Sequence, residues 1–195
     1  MLLPSTDLFL RLVAENELKK RRFHQWVFNP GMLFRTVEKW WDESSARGIP
    51  HEGLDVAAFL TRGGQVEWLL PQTRIPAAYN GTIARIQKDF LGFSCFLRHD
   101  QFQRGDRFLY SVYGHIEPLA SRHEGDTIAV GEILGTLADT ARRNSPIRPH
   151  LHFSLAWISS AVPEQTLNWE TMNDPDAVIL IDPLALLTGA FSVMY

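Results

Sequence analysis

A single cysteine, Cys95, in 195 residues excludes an internal disulfide and a cysteine-based zinc knuckle, so any metal has to be held by His, Asp or Glu. Long apolar runs are also missing, and no stretch of the roughly 18 residues a membrane-spanning helix requires is present. The opening MLLPSTDLFLRLVAENELKKRRF lacks a signal-peptide layout, because Asp7, Arg11, Glu15 and Glu17 interrupt its apolar residues. The chain is therefore expected to be soluble and to show no export signal. Neither sign of charge dominates: the net charge is -3, without the basic surplus that would advertise a nucleic acid or an anionic membrane as partner.

What is present suits one compact, β-rich domain with an appendage. Hydrophobic residues make up 45%, and 11 prolines with 13 glycines favour turns and short strands over long helices. Helices are confined to the start. Residues 5 to 24 carry Leu8, Leu10, Leu12, Val13 and Leu18 among charged residues, with Ser5, Thr6 and Asp7 available as caps. A second helix is predicted from Asn29 and Pro30 through Trp41, ending at SSARGIP. From residue 48 onward, short apolar runs such as GLDVAAFL, QVEWLL, GFSCFLRH, RFLYSVYGHI and PHLHFSLAWI read as strands, broken by turn-like TRGGQ (61–65) and HDQFQRGDR (99–107). The predicted division is an N-terminal helical extension over 1–48 and a β domain over 49–190. Residues 159–177 read as a long loop of the kind that walls or covers a site.

The chemistry concentrates in histidines. In IRPHLHFSL (147–155), strand alternation sends His150, His152 and Ser154 to one face and Leu151, Phe153 and Leu155 to the other. In PHEGLDVA, His51 and Asp55 are an even number of residues apart, so an extended chain turns both the same way, and Gly53 removes bulk between them. A third segment, YSVYGHIEP, ends an apolar strand at His115. Each segment offers a histidine, and with Asp55 they supply enough nitrogen and oxygen ligands for a catalytic zinc that keeps one position open.

These segments carry a family resemblance. His51-x-Gly53-x-Asp55-x-Ala57, then Pro76-x-Ala78-x-x-Gly81-Thr82-Ile83, Tyr113-Gly114-His115, Val130-Gly-Glu-Ile-Leu-Gly135, Pro149-His-Leu-His-Phe153 and Asp182-Pro-Leu184 follow the pattern and order of the lysostaphin-type zinc endopeptidases. The resemblance covers residues 49 to 188. It implies a mainly β fold with an antiparallel, sandwich- or barrel-like sheet core, the duplicated hybrid motif. It also implies one zinc ion held by His51, Asp55 and His152, with His115 and His150 as the catalytic histidines beside it. The implied substrate is a peptide of peptidoglycan stems or cross-bridges, and the implied location is periplasmic or extracellular, against which the missing export signal leaves open an omitted upstream segment, a non-standard secretion route or a cytoplasmic peptide substrate. Either His115 or His150 can serve as base, with the other as acid.

Two departures from the family pattern stand out. FLTRGGQVEWLLPQT, within the 58–74 insertion, reads as an additional hairpin that changes one wall of the groove. TARRNSPIRP puts Arg142, Arg143 and Arg148 near the histidine strand, where they either hold a substrate carboxylate or, more simply, are solvated loop charges. The remaining candidates read as structural. His24 is a solvated helix residue, His99 and His123 lie at turns, Cys95 is a small core residue, Gly81 enters a strand from a turn, and Trp40 and Trp41 pack a helix with one of them at the groove edge. Two other functions compete: a non-catalytic regulator of wall hydrolases using the same groove, for which a ligand would be missing, and a histidine phosphocarrier, for which Asp55 has no place.

Overall fold

The computed structural model describes residues 3–42, 44–143 and 145–194. Glu43 of the first region, Asn144 of the 140–149 loop, Met1, Leu2 and Tyr195 lie outside the described residues. The chain is mainly β with antiparallel sheets and a small helical part, as the sequence predicts.

In chain order the elements are helix α1 (Leu8–Glu15) and strands β1 (Phe23–Phe28), β2 (Leu54–Val56), β3 (Ala58–Thr61), β4 (Val66–Trp68), β5 (Arg74–Pro76), β6 (Gly81–Lys88), β7 (Phe93–Arg104), β8 (Arg107–Pro118), β9 (Thr127–Ile128), β10 (Ile133–Leu137) and β11 (Leu151–Ser159). They are followed by the one-turn helix α2 (Trp169–Met172), β12 (Val178–Ile181) and β13 (Phe191–Val193). The larger sheet runs β12-β11-β8-β7-β6-β9, with β2 pairing with β11 and β10 joining β8 to β5. A smaller sheet runs β13-β1-β3-β4. The expected extra hairpin is β3–β4, turned by TRGGQ and paired through Phe59 and Glu67. GLDVAAFL is two strands in two sheets, with Ala57 at the crossing.

The N-terminal region departs from expectation in ways its residues explain. α1 buries Leu8, Phe9, Leu12 and Val13, but the helix ends at Asn16. There the side-chain amide turns to Leu12 O and Arg74 O while its oxygen accepts from Arg74 N, which ties the chain to β5. Glu17 and Arg22 then take left-handed conformations around a short 3-10 turn, and the chain emerges as β1 instead of continuing as helix. The helix expected from Asn29 stops after Pro30–Met32. The chain folds back so closely on Gly31 that a Cβ there would lie 2.7 Å from Trp40 N, and residues 33–51 pair their backbone locally, Arg47 N to Val37 O and His51 N to Thr36 O. A helix would need those carbonyls for itself.

β1 also fuses the start of the chain to the main core. Phe9 packs at 5.4 Å on Trp26, Trp26 meets Phe59 edge-on, and all three share one buried cluster with Tyr113 and Phe153. This core forms the floor on which β11, β2 and β8 carry their polar faces.

Candidate active site

β11 lies between β2 and β8, with His152 opposite Asp55 on one side and Gly114 on the other. As the strand period requires, Phe153 enters the core against Tyr113 at 5.3 Å while His152 and Ser154 turn to the opposite face. Gly53 permits the close approach of β2: a Cβ there would meet Phe153 O at 2.4 Å and Ser154 Oγ at 2.5 Å. The bulk predicted to be missing beside His51 and Asp55 is needed by β11 itself.

His51, Asp55 and His152 come together. His51 Nε2 lies 3.1 Å from Asp55 Oδ1 and 3.1 Å from His152 Nδ1, and His152 Nδ1 lies 3.0 Å from the same oxygen. All three residues are buried, and among the described residues they form a group whose ligand atoms lie within 4.8 Å of one another. Outer contacts decide what each atom offers. His51 Nδ1 faces Leu33 O at 3.0 Å and His150 Nδ1 faces Arg148 O at 2.8 Å. A carbonyl only accepts, so both Nδ1 atoms donate and each neutral ring presents a lone pair on Nε2. His152 Nε2 lies 3.0 Å from Ser154 Oγ, which can accept its hydrogen and free Nδ1.

Acceptors therefore converge on one point, an arrangement that calls for a cation. The separations of 3.0–3.1 Å approach the roughly 3.3 Å edge of a tetrahedron built on zinc bonds of about 2.0–2.1 Å. Two imidazoles and one carboxylate form a fitting donor set, with outer partners that fix each ligand's orientation. Ionisation follows the same pull. Burial would raise the Asp55 carboxyl, but the surrounding imidazoles, His51 and His150 foremost, hold it well below the usual range. Burial opposes charge on His51 too, yet Asp55 draws its pKa upward. Burial pushes His150 down to about 4 and lowers His152.

His115 and His150 join from the side. Their rings lie 4.8 Å apart, and His115 is 5.8 Å from the His152 ring. His115 occupies a bulge of β8, where the register with β7 shifts between Phe93 and Cys95, and it takes a left-handed φ of 63°. The bulge re-aims a side chain that regular alternation would place elsewhere, and non-glycine residues take this conformation only when their surroundings hold them there. Asp89 does the holding: Oδ2 accepts from His115 N at 3.0 Å and lies 3.2 Å from His115 Nδ1, while Oδ1 accepts from Leu91 N and Gly92 N. Burial would raise the Asp89 carboxyl, but His115 and Ser94 hold it low.

The five residues line a pocket of about 260 Å³ whose walls are Trp41, Arg47, Glu52, Phe90, Ile147 and Trp169. Trp169 comes from the 159–177 loop, matching the expected wall. Trp41 edges the groove, but not from a helix. The arginines of the 140–149 loop are engaged elsewhere: Arg142 with Asp139, Arg143 with Glu117, and Arg148 over the Trp68 ring at 4.6 Å. Sequence reasoning missed Asp89, Arg47, Phe90 and Glu52. Glu52 sits inside the His51–Asp55 motif and was readable as a neighbour of the ligands; the others depend on chain reversals that leave no periodic signal.

The model of peptidase family M23 matches residues 50–164. The chain belongs to peptidase family M23. Among solved structures, this M23 chain is similar to the solution structure of lysostaphin, with 19% identity over 70% of this chain and 42% of that one and a TM-score of 0.46. It is similar to a putative M23 peptidase from Pseudomonas aeruginosa, with 22% identity over 77% and 56% and a TM-score of 0.40. It is also similar to the catalytic domain of the prophage-encoded M23 protein EnpA from Enterococcus faecalis, with 20% identity over 77% and 88% and a TM-score of 0.42. The chain thus spans less than half of lysostaphin and just over half of the Pseudomonas protein. No curated protein matches it. No helix among the described residues is long and apolar enough to cross a membrane.

Proposed function

We propose that this M23 chain is a zinc-dependent metalloendopeptidase that hydrolyses peptide bonds in peptidoglycan stems or cross-bridges, outside the cytoplasm. The observation that carries the reading is the convergence of three acceptors, His51 Nε2, Asp55 Oδ1 and His152 Nδ1, with two further imidazoles in the same pocket. In this reading residues 49–190 are the peptidase domain, and residues 1–48 are an extension that supplies Leu33, Trp40, Trp41 and Arg47 around the site.

His51, Asp55 and His152 would hold the metal. Zinc in such a set supplies Lewis acidity toward a peptide carbonyl and lowers the pKa of water in the site. The remaining steps fall to side chains. His150, with Nδ1–H committed to Arg148 O, offers the Nε2 lone pair for a proton. His115, oriented by the Asp89 carboxylate beside its Nδ1, would donate from Nε2 to the developing oxyanion and the leaving amine. Trp41, Phe90 and Trp169 exclude water and give an extended peptide apolar walls.

Metal analysis of the purified protein, combined with mass spectrometry of digested peptidoglycan, tests this. The expected result is a single zinc per chain and new peptide termini that His152→Ala abolishes. Identical fragments from both proteins would sink the mechanism, and zinc-supplemented protein that stays metal-free would restore the non-catalytic regulator.

A further inference from the structure

Asp55 presents its two oxygens to different surroundings. Oδ1 faces three imidazoles, His51 Nε2 at 3.1 Å, His152 Nδ1 at 3.0 Å and His150 Nε2 at 3.7 Å. Oδ2 faces away from them, accepting from the Trp40 indole N–H at 2.7 Å, with the Arg47 guanidinium at 3.4 Å. Neither donor is free to wander. The Trp40 ring stacks on Trp68 at 6.0 Å and meets Trp41 and His150 edge-on at 5.5 and 5.1 Å. Arg47 is anchored by Gly31 O at 2.8 Å and by Glu38 O, and lies over the Trp41 ring at 4.9 Å. Both residues come from the stretch between Pro30 and His51 that folds back on itself, so the backbone that forgoes a helix delivers two N–H donors to one carboxylate oxygen.

We propose that Trp40 and Arg47 are positioning residues that restrict Asp55 to coordinating the metal through Oδ1 alone. The inference rests on the metal-binding reading above. A carboxylate with both oxygens free can bind a cation through either or both; with Oδ2 committed to an indole and a guanidinium, a second bond would have to break the 2.7 Å hydrogen bond inside a buried site. Coordination by three protein atoms keeps the count low and one position open, the arrangement of a catalytic centre as opposed to a closed structural one. The outer donors also draw charge from the carboxylate, so it neutralises less of the metal's charge and leaves the ion a stronger Lewis acid.

The competing explanation for Trp40 is packing alone, and Trp40→Phe separates the two because it keeps an aromatic ring against Trp68 and His150 but removes the N–H. The full-length apo protein is titrated with cobalt(II), whose visible d–d bands are intense in four-coordinate sites and weaken as the coordination number rises. For W40F the expected result is weaker bands than wild type at saturating cobalt, because Oδ2 is freed to add a second metal–oxygen bond. W40F bands equal in intensity to wild type overturn the inference. Should W40F fail to fold, Arg47→Gln reads the same spectrum from the second donor, with weakened bands again expected and unchanged bands again overturning it. A wild-type protein that gives no cobalt bands overturns the metal-binding reading instead.

Discussion

Two imidazoles buried on strands of the same large sheet, His99 on β7 and His152 on β11, have opposite surroundings. His99 closes a chain in which every hydrogen has one place to go. Its Nδ1 lies 2.7 Å from Asn80 O and must donate; Nε2 then accepts from Ser111 Oγ at 2.9 Å. With the serine hydrogen committed, the Tyr113 hydroxyl 3.1 Å away donates to Ser111 and accepts from Ala78 N at 2.7 Å. Gly81 belongs to this arrangement, since a Cβ there would lie 2.7 Å from His99 Nδ1. Donors match acceptors, and nothing more is needed. Around His152 the count fails: lone pairs of His51, His152 and His150 gather on Asp55 Oδ1 with no hydrogen assigned between them. Burial is common to both clusters. The excess of acceptors, opening on a pocket, is what distinguishes a site from a satisfied core.

That contrast can be broken by substitution. The largest effect is expected for His115→Ala, which removes the proposed proton donor: on the proposed function, kcat/KM of the zinc-loaded protein on a defined peptidoglycan peptide should fall by about 10²–10⁴-fold. His99→Gln should leave kcat/KM unchanged. If both fall alike, the distinction between satisfied and open clusters fails. The His99 cluster should instead govern acid stability. Burial holds His99 at a pKa of about 4, below the ordinary 6.5, so the unfolded chain takes up a proton that the folded protein refuses. Stability from the neutral ring is complete above pH 6.5 and is lost as the pH falls toward 4, by about 3 kcal/mol. Urea melts of wild type and His99→Gln across that window should show the acid decline flattened in the variant; parallel curves would refute it. The smallest effect is expected for Asp89→Asn, which keeps the acceptor for the His115 backbone but removes the charge beside its ring. A kcat/KM loss of about tenfold, or about 1.4 kcal/mol, with zinc content unchanged is the expected reading. Full activity would remove Asp89 from any role in orienting His115.

Much of the site was legible because strand geometry is local. The even spacings of His51 with Asp55 and of His150 with His152 place each pair on one side of an extended chain, and β2 and β11 then set Asp55 opposite His152. The β3–β4 hairpin was legible from TRGGQ for the same reason. His99 was misread as a turn residue because HDQFQRGDR looks polar and broken. In the fold β7 continues to Arg104, the turn falls at Gly105 and Asp106, and His99 is fully buried. The predicted helix through Trp41 failed because apolar residues at helical spacing were read without the carbonyls that the Arg47 and His51 N–H groups claim within the folded-back segment. Cys95 is the buried core residue expected, its thiol pushed up to about 12 by burial.

The sequence by itself determined which residues are available: histidines and one aspartate at spacings that strands convert into shared faces, and a single cysteine that leaves metal binding to nitrogen and oxygen. It also carried the motifs of the family. Tertiary structure decided the direction of each hydrogen, because that depends on where the fold brings carbonyls and carboxylates around each ring, most of them from other segments. Leu33 O and Arg148 O set two imidazole tautomers, Asp89 holds His115 in a left-handed bulge, and Trp40 with Arg47 occupies the outer oxygen of Asp55. Spacing can bring ligands to one face, but an acceptor becomes available to a cation only when its neighbours have taken its other bonds.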